Sequence, residues 1–184
     1  MSQTETFDVV VVGGGPAGAT AARQLAQQGR SVLLLDRAGR IKPCGGAIPP
    51  RLIKDFEIPD KLLVARATAA RMVSPTNKHV DIPIDNGFVG MVDREHFDHW
   101  LRERAVAAGA VLRTGTFDRI ERDAQGVATV HFQARCRAGR AESSPSSVRT
   151  RAIIGADGAK SEVAKQAVPA ALHAKCVFAY QQAC

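Results

Sequence analysis

The 184 residues are 45% apolar, enough for one domain or slightly more with a real core. The formal net charge is +7, of which four come from the five arginines and one glutamate between Arg135 and Arg151; with no aromatic interleaved, that stretch reads as a solvated loop and argues against a nucleic-acid face. The four cysteines, Cys44, Cys136, Cys176 and Cys184, form no Cys-x-x-C pair, which argues against a zinc site or a disulfide framework. A reducing cytoplasm fits best.

Phe7 to Val12 is an apolar, β-branched run of the kind that forms a strand buried on both faces. It stops at Gly13-Gly14-Gly15-Pro16-Ala17-Gly18, which fits G-x-G-x-x-G through Gly13, Gly15 and Gly18. The first glycine makes a tight turn, the second lets backbone approach a pyrophosphate, and the third lets the following helix pack close to the sheet. Ala22, Leu25 and Ala26 recur at helical spacing after Gly18, and Gly29 stands where a residue at positive φ would end that helix. Ser31 to Leu35 is a second strand ending in Asp36, about where a carboxylate accepts hydrogen bonds from an adenosine ribose. The pyrophosphate would sit at the helix N-terminus, where free N–H groups and the dipole favour an anion. Asp36 repels a 2′-phosphate, so the site favours FAD or NAD over NADP, although Arg37 beside it softens that repulsion.

Residues 38 to 50 are too rich in Gly and Pro for regular structure, and they leave the carboxyl end of the second strand, where ligands bind in doubly wound sheets. Cys44-Gly45-Gly46 is therefore expected near the cofactor, or else is a plain loop with Cys44 as a small filler. Arg51 to Phe56 reads as a short helix; Leu63 to Val73, His79 to Ile84 and Phe88 to Val92 read as antiparallel strands outside the parallel sheet. Asp93 is a plausible N-cap for a helix from Arg94 to Ala108 with Phe97, Trp100, Leu101, Ala105 and Ala108 on one face. Arg94 in its first turn opposes the helix dipole, so it is either solvated or held by an anion, and a dinucleotide phosphate is the obvious candidate. Ala110 to Arg113 reads as the next parallel strand, Thr116 to Arg122 with Val127 to Gln133 as a hairpin, and Val148 to Gly155 as its partner after a loop from 134 to 147. Asp157 follows that strand and either reaches a ribityl hydroxyl or belongs to an Asp-Gly turn with Ser161 as N-cap.

The Gly-rich unit ending in Asp36-Arg37, the Val92-Asp93-Arg94 helix entry and Gly155-Ala156-Asp157-Gly158 resemble the flavoprotein fold of aromatic-ring hydroxylases and geranylgeranyl reductases. The segments Lys42 to Pro49 and Val89 to Arg94 resemble the geranylgeranyl reductases of chlorophyll and bacteriochlorophyll biosynthesis. The resemblance implies an α/β, Rossmann-like, three-layer FAD-binding fold with inserted antiparallel strands. Its FAD-binding domain would be discontinuous, 1–60 and 92–170, with 61–91 and 171–184 beginning an incomplete antiparallel substrate domain. It further implies an FAD-containing, NADPH-consuming reductase that saturates double bonds of geranylgeranyl diphosphate or of a geranylgeranylated chlorophyll pigment to phytyl. Such a protein would be cytoplasmic and at most peripheral at a photosynthetic membrane. An acid must supply the proton, and Cys44 is favoured by position, with His79 and His96 as surface residues. Because the family's chains run to about twice this length, an inactive nucleotide-binding fragment is the alternative expectation. A flavin-dependent aromatic hydroxylase is another, and the Lys42 to Pro49 segment speaks against it.

Overall fold

The computed structural model describes residues 4–37, 41–42, 44–135 and 143–175. Strand β1 (Thr6–Val12) runs into helix α1 (Pro16–Gln27) and returns through Gly29, at φ +77°, to strand β2 (Val32–Asp36), parallel to β1 with Val9 opposite Val32 and Val12 opposite Leu35. Two short elements follow, strand β3 (Ala47–Ile48) and helix α2 (Pro50–Asp55). Next come strands β4 (Leu63–Ala67), β5 (Ala69–Val73), β6 (His79–Pro83) and β7 (Val89–Val92). Helix α3 (Arg94–Ala107) leads to strands β8 (Val111–Arg122), β9 (Ala128–Arg135) and β10 (Ser143–Gly155), and then to helix α4 (Glu162–Ala167).

These elements fall into two compact units, within Met1–Arg40 and Asp98–Val177 for the first and within Ile41–Phe97 for the second. In the first, the pairing runs β1-β10-β9-β8-β2 and closes back on β1. The ring closes because β8 and β10 each change partner part-way. Val111 to Thr114 lie parallel to β2 and Gly115 to Arg122 antiparallel to β9, while Ser143 to Thr150 pair with β9 and Arg149 to Gly155 with β1. A parallel sheet therefore backs onto an antiparallel meander. The space between them holds Val10, Val12, Leu33, Leu35, Val130, Phe132 and Val148, with Val163 of α4 packed in the same cluster. Alternation along the strands puts Val11 and Leu34 on the opposite face, and α1, with Ala19 and Ala22 buried, packs on β1 and β2. Helix, parallel sheet and meander are the three layers expected from the resemblance.

Two boundaries differ from the sequence reading. The strand expected at 110–113 and the hairpin arm expected at 116–122 are one strand. Gly115 stands where the partner changes, and a Cβ there would lie 2.8 Å from Phe132 Cδ2. The Ser- and Arg-rich loop expected at 134–147 is shorter, because Ser143 to Ser147 pair with Arg135 to His131. Those serines have no apolar pattern of their own; the open edge of β9 supplies the hydrogen bonds. Residues 136–142 lie outside the described residues.

The second unit is antiparallel throughout. β7 pairs with β3 on one side and β4 on the other, and β5 with β6 forms a separate two-stranded sheet. The run expected as one strand from Leu63 to Val73 is divided at Thr68, whose carbonyl accepts from Ile84 N–H, so each half serves a different sheet. β3 itself arises in the stretch read as too Gly- and Pro-rich for regular structure, because β7 offers Met91 and Gly90 as partners to Ala47 and Ile48. Gly90 is where this small core closes: a Cβ there would come within 2.9 Å of Ile53 Cδ1 and 3.0 Å of Leu63 Cδ2.

Candidate functional site

The first group of residues surrounds the turn between β1 and α1. Gly13 has φ +105°, and a Cβ on it would overlap the Ala156 carbonyl, which leaves glycine as the residue that fits. The Ala156 N–H donates to the Val12 carbonyl at 2.8 Å, so the end of β10 braces the turn. A Cβ on Gly18 would run into the Gly13 carbonyl oxygen, because the first turn of α1 lies directly on the loop. Gly15 is different. Nothing stands within 4 Å of the position its Cβ would take, so the absent side chain leaves room.

Gly15 is also the N-cap of α1, with no side-chain cap; Pro16 follows in the first turn, and no acidic residue stands there. Pro16 has no N–H to satisfy, and the exposed Ala17 and buried Gly18 continue the turn. A helix start with open backbone donors beside an open cradle is suited to an anion. Asp36, at the end of β2, accepts from Gly14 N–H through Oδ2 at 2.8 Å, which ties the carboxylate to the same loop. Arg37 is exposed. The Asp157 carboxylate is turned to the start of α4, where it accepts from Ser161 Oγ, from Glu162 N–H at 2.7 Å and from Val163 N–H at 3.3 Å, while Ser161 caps Ala164 N–H at 2.9 Å.

The second group lies in the Ile41–Phe97 unit. Gly46 has φ +68°, and a Cβ on it would overlap the Val92 carbonyl; its own carbonyl accepts from Val92 N–H at 2.9 Å. This pins the half-buried Gly45 and exposed Cys44 beside the entry to α3. The thiol is held below its ordinary value chiefly by the Gly46 N–H, against the opposing effect of burial, and further by the hydrogen bond and charge of Arg94 and the charge of Lys42. Arg94, read as either solvated or held by an anion, thus meets the Cys44 sulfur. Asp93 caps α3 by accepting from Glu95 N–H at 2.9 Å, and His96 Nδ1 lies 3.1 Å from its other oxygen. His79 and His96 are both exposed.

Two contributors escaped the sequence reading. Gly14 fills one of the variable positions of the glycine motif, yet a Cβ on it would lie 2.9 Å from both Asp36 Cγ and Arg102 Cδ. Arg102, from α3, donates through Nη1 to the Gly14 carbonyl at 3.1 Å. The one signal in the sequence was the third consecutive glycine, which the motif does not require.

The model of an FAD binding domain family matches residues 6–176. The chain belongs to that family. Its FAD-binding domain is 58% identical over 176 residues to the geranylgeranyl diphosphate reductase of Rhodobacter capsulatus, a match that covers 96% of this chain and 43% of that protein. It is 41% identical over 164 residues to the chloroplastic geranylgeranyl diphosphate reductase of Oryza sativa, covering 85% of this chain and 35% of that one. Among solved structures, a geranylgeranyl bacteriochlorophyll reductase-like protein from Thermoplasma acidophilum matches with a TM-score of 0.69 at 27% identity, over 84% of this chain and 40% of that chain. The chain spans less than half the length of these three relatives. No helix among the described residues is long and apolar enough to cross a membrane.

Proposed function

We propose that the chain is the FAD-binding part of an NADPH-dependent reductase that saturates the double bonds of a geranylgeranyl group, carried as the diphosphate or on a chlorophyll-type pigment. The observation that carries this reading is the 58% identity to a geranylgeranyl diphosphate reductase across nearly the whole chain. The glycine turn adds physical support: Gly15 leaves an open cradle at an uncapped helix start, with Gly13 and Gly18 closing the backbone around it. Bound FAD, once reduced by NADPH, would supply the hydride for a C=C bond that has no carbonyl to stabilise charge.

In this reading Gly13, Gly15, Pro16, Ala17 and Gly18 hold the pyrophosphate and Asp36 the adenosine ribose. Arg37 and Asp157 stand at the margins of the nucleotide, and NADPH binds transiently elsewhere. Cys44, on its Gly45-Gly46 loop, gives the proton that the second alkene carbon needs. Arg94 serves the thiolate left behind. The protein works in the cytoplasm, peripheral to a photosynthetic membrane where the pigment resides.

Titration of the purified chain with FAD, ADP and NADPH tests the cofactor assignment. FAD is expected to bind more tightly than NADPH, and Asp36→Ala to weaken FAD by about 1–3 kcal/mol through loss of a charge-assisted hydrogen bond. Tighter binding of NADPH would overturn it. Mass analysis of geranylgeranyl diphosphate and a geranylgeranylated pigment after incubation with FAD and NADPH then decides the substrate. Absence of reduced product in a protein that spans the whole length of the relatives would remove the reductase reading.

A further inference from the structure

We infer that Arg102 is a positioning residue for the phosphate turn, setting the direction of the backbone donor at Gly15. The inference rests on the dinucleotide reading of that turn. Gly14 is held from both sides: its N–H donates to Asp36 Oδ2 at 2.8 Å, and its carbonyl accepts from Arg102 Nη1 at 3.1 Å. The two holds act on different peptide planes. The Asp36 bond fixes the plane between Gly13 and Gly14, and the Arg102 bond fixes the plane between Gly14 and Gly15. In a planar trans peptide the carbonyl and the N–H point in opposite directions, so drawing the Gly14 carbonyl toward Arg102 turns the Gly15 N–H away from it. Glycine at three successive positions leaves these planes with little steric restraint of their own. A reach from α3 is what removes that freedom.

The packing agrees. A Cβ on Gly14 would meet the Arg102 Cδ and the Asp36 Cβ and Cγ, each at 2.9 Å, so the two side chains close on the peptide from the side on which Gly14 has none. The same arrangement brings a guanidinium to the loop beside the Asp36 carboxylate. The arginine donates to neutral backbone, so it acts on a phosphate at Gly15 through the peptide and not by direct contact.

The test separates phosphate from nucleoside. Affinities of FAD, ADP and adenosine are measured for the native chain, Arg102→Ala and Arg102→Lys, together with the thermal midpoint of each ligand-free protein. Arg102→Ala is expected to weaken ADP and FAD by about tenfold and adenosine by less than about twofold, since only the phosphate uses the Gly15 donor. Arg102→Lys, which keeps a donor and the charge, is expected to recover part of the loss. Equal losses for ADP and adenosine would mean general damage to the site and would overturn the inference, as would unchanged ADP affinity in Arg102→Ala. Failure of the native chain to bind either ADP or FAD would instead remove the dinucleotide reading itself. If Arg102→Ala does not fold, the ratio of ADP to adenosine affinity in Arg102→Lys decides: a ratio lower than in the native chain supports the inference, and an unchanged ratio overturns it.

Discussion

The two compact units keep their strands in opposite ways. In the first, Val10, Val11, Leu33 and Leu34 have no exposed surface, and β1 and β2 are covered on both faces. In the second, every residue of β5 and β6 is exposed. The register sorts the β5–β6 hairpin into two faces. Arg71 opposite Asp81 and Val73 opposite His79 lie on one, and Ala70 opposite Ile82 with Met72 opposite Val80 form an apolar face on the other. Strand formation is therefore no evidence of burial: in β1 and β2 packing holds the backbone, and in the hairpin cross-strand bonds alone must do so. A two-stranded sheet of that kind is marginal in water.

Alanine substitutions should show the difference most strongly. Leu33→Ala removes a fully buried side chain between sheet and meander and is expected to cost about 2–5 kcal/mol in denaturant unfolding, the spread reflecting how far the core can collapse. Ile82→Ala acts on a side chain that is 49% exposed and is expected to stay within about 0.5 kcal/mol of the native chain. Comparable losses at the two positions would show that the hairpin face is covered in solution.

A smaller effect distinguishes the candidate residues of the two units. The glycine turn is made of backbone and does not titrate, whereas the Cys44 loop does. With the thiol held below its ordinary value, Cys44 loses its proton at a lower pH than a free cysteine, so any step in which it donates a proton weakens as pH rises through that lowered value. Alkylation by iodoacetamide, read at Cys44 by peptide mass, should accelerate over the same range. Arg94→Gln removes a hydrogen bond and a charge while leaving the Gly46 N–H, so the alkylation profile should move to higher pH. A profile that does not move would detach Arg94 from the thiol.

The smallest effect concerns the hairpin. Arg71 Nε and Nη2 donate to the two Asp81 oxygens at 2.6 and 2.8 Å, and the guanidinium holds that carboxyl below the usual carboxylate range. A lowered folded-state value stabilises above the unfolded value, and the stabilisation is lost as pH falls through the folded one. Hydrogen exchange across the β5–β6 hairpin should therefore quicken on acidification in the native chain and respond less in Asp81→Asn. Equal responses would show that the pair contributes nothing there.

The parts of this structure that could be read from the letters are those whose cause is local. The Gly13 turn, the helix that ends at Gly29 and the apolar face of α3 each follow from spacing within a few residues. What was not legible depends on partners far along the chain. The letters Thr114-Gly115 read as a gap between strands, but β2 and β9 make the run one strand with two partners. Ser143 to Ser147 carry no strand pattern and are strand because β9 lies beside them. Among the site residues, the tight turns at Gly13 and Gly18 were readable in their glycines, whereas the hold of Arg102 on Gly14 was not, because a long side chain reaching across 88 positions leaves no periodic trace. The letters around Asp157 allowed a ribityl contact or an Asp-Gly turn with Ser161 as N-cap; in this structure its carboxylate accepts from the backbone of α4.

The parallel edge between β1 and β10 sets an order of events during synthesis. β1 can pair with β2 almost as soon as both leave the ribosome, but its other neighbour is made only after α3, β8 and β9, since Phe7 must wait for Thr150 and Val12 for Gly155. Until then one edge of β1 is open, and Val10 and Val12 lack the cover of Val130, Phe132 and Val148. The glycine turn waits as well, because its brace is the Ala156 N–H on the Val12 carbonyl. A turn encoded at Gly13 to Gly18 is thus completed only once β10 has been made, and a nascent chain must keep its most apolar strand soluble through the synthesis of α3, β8 and β9.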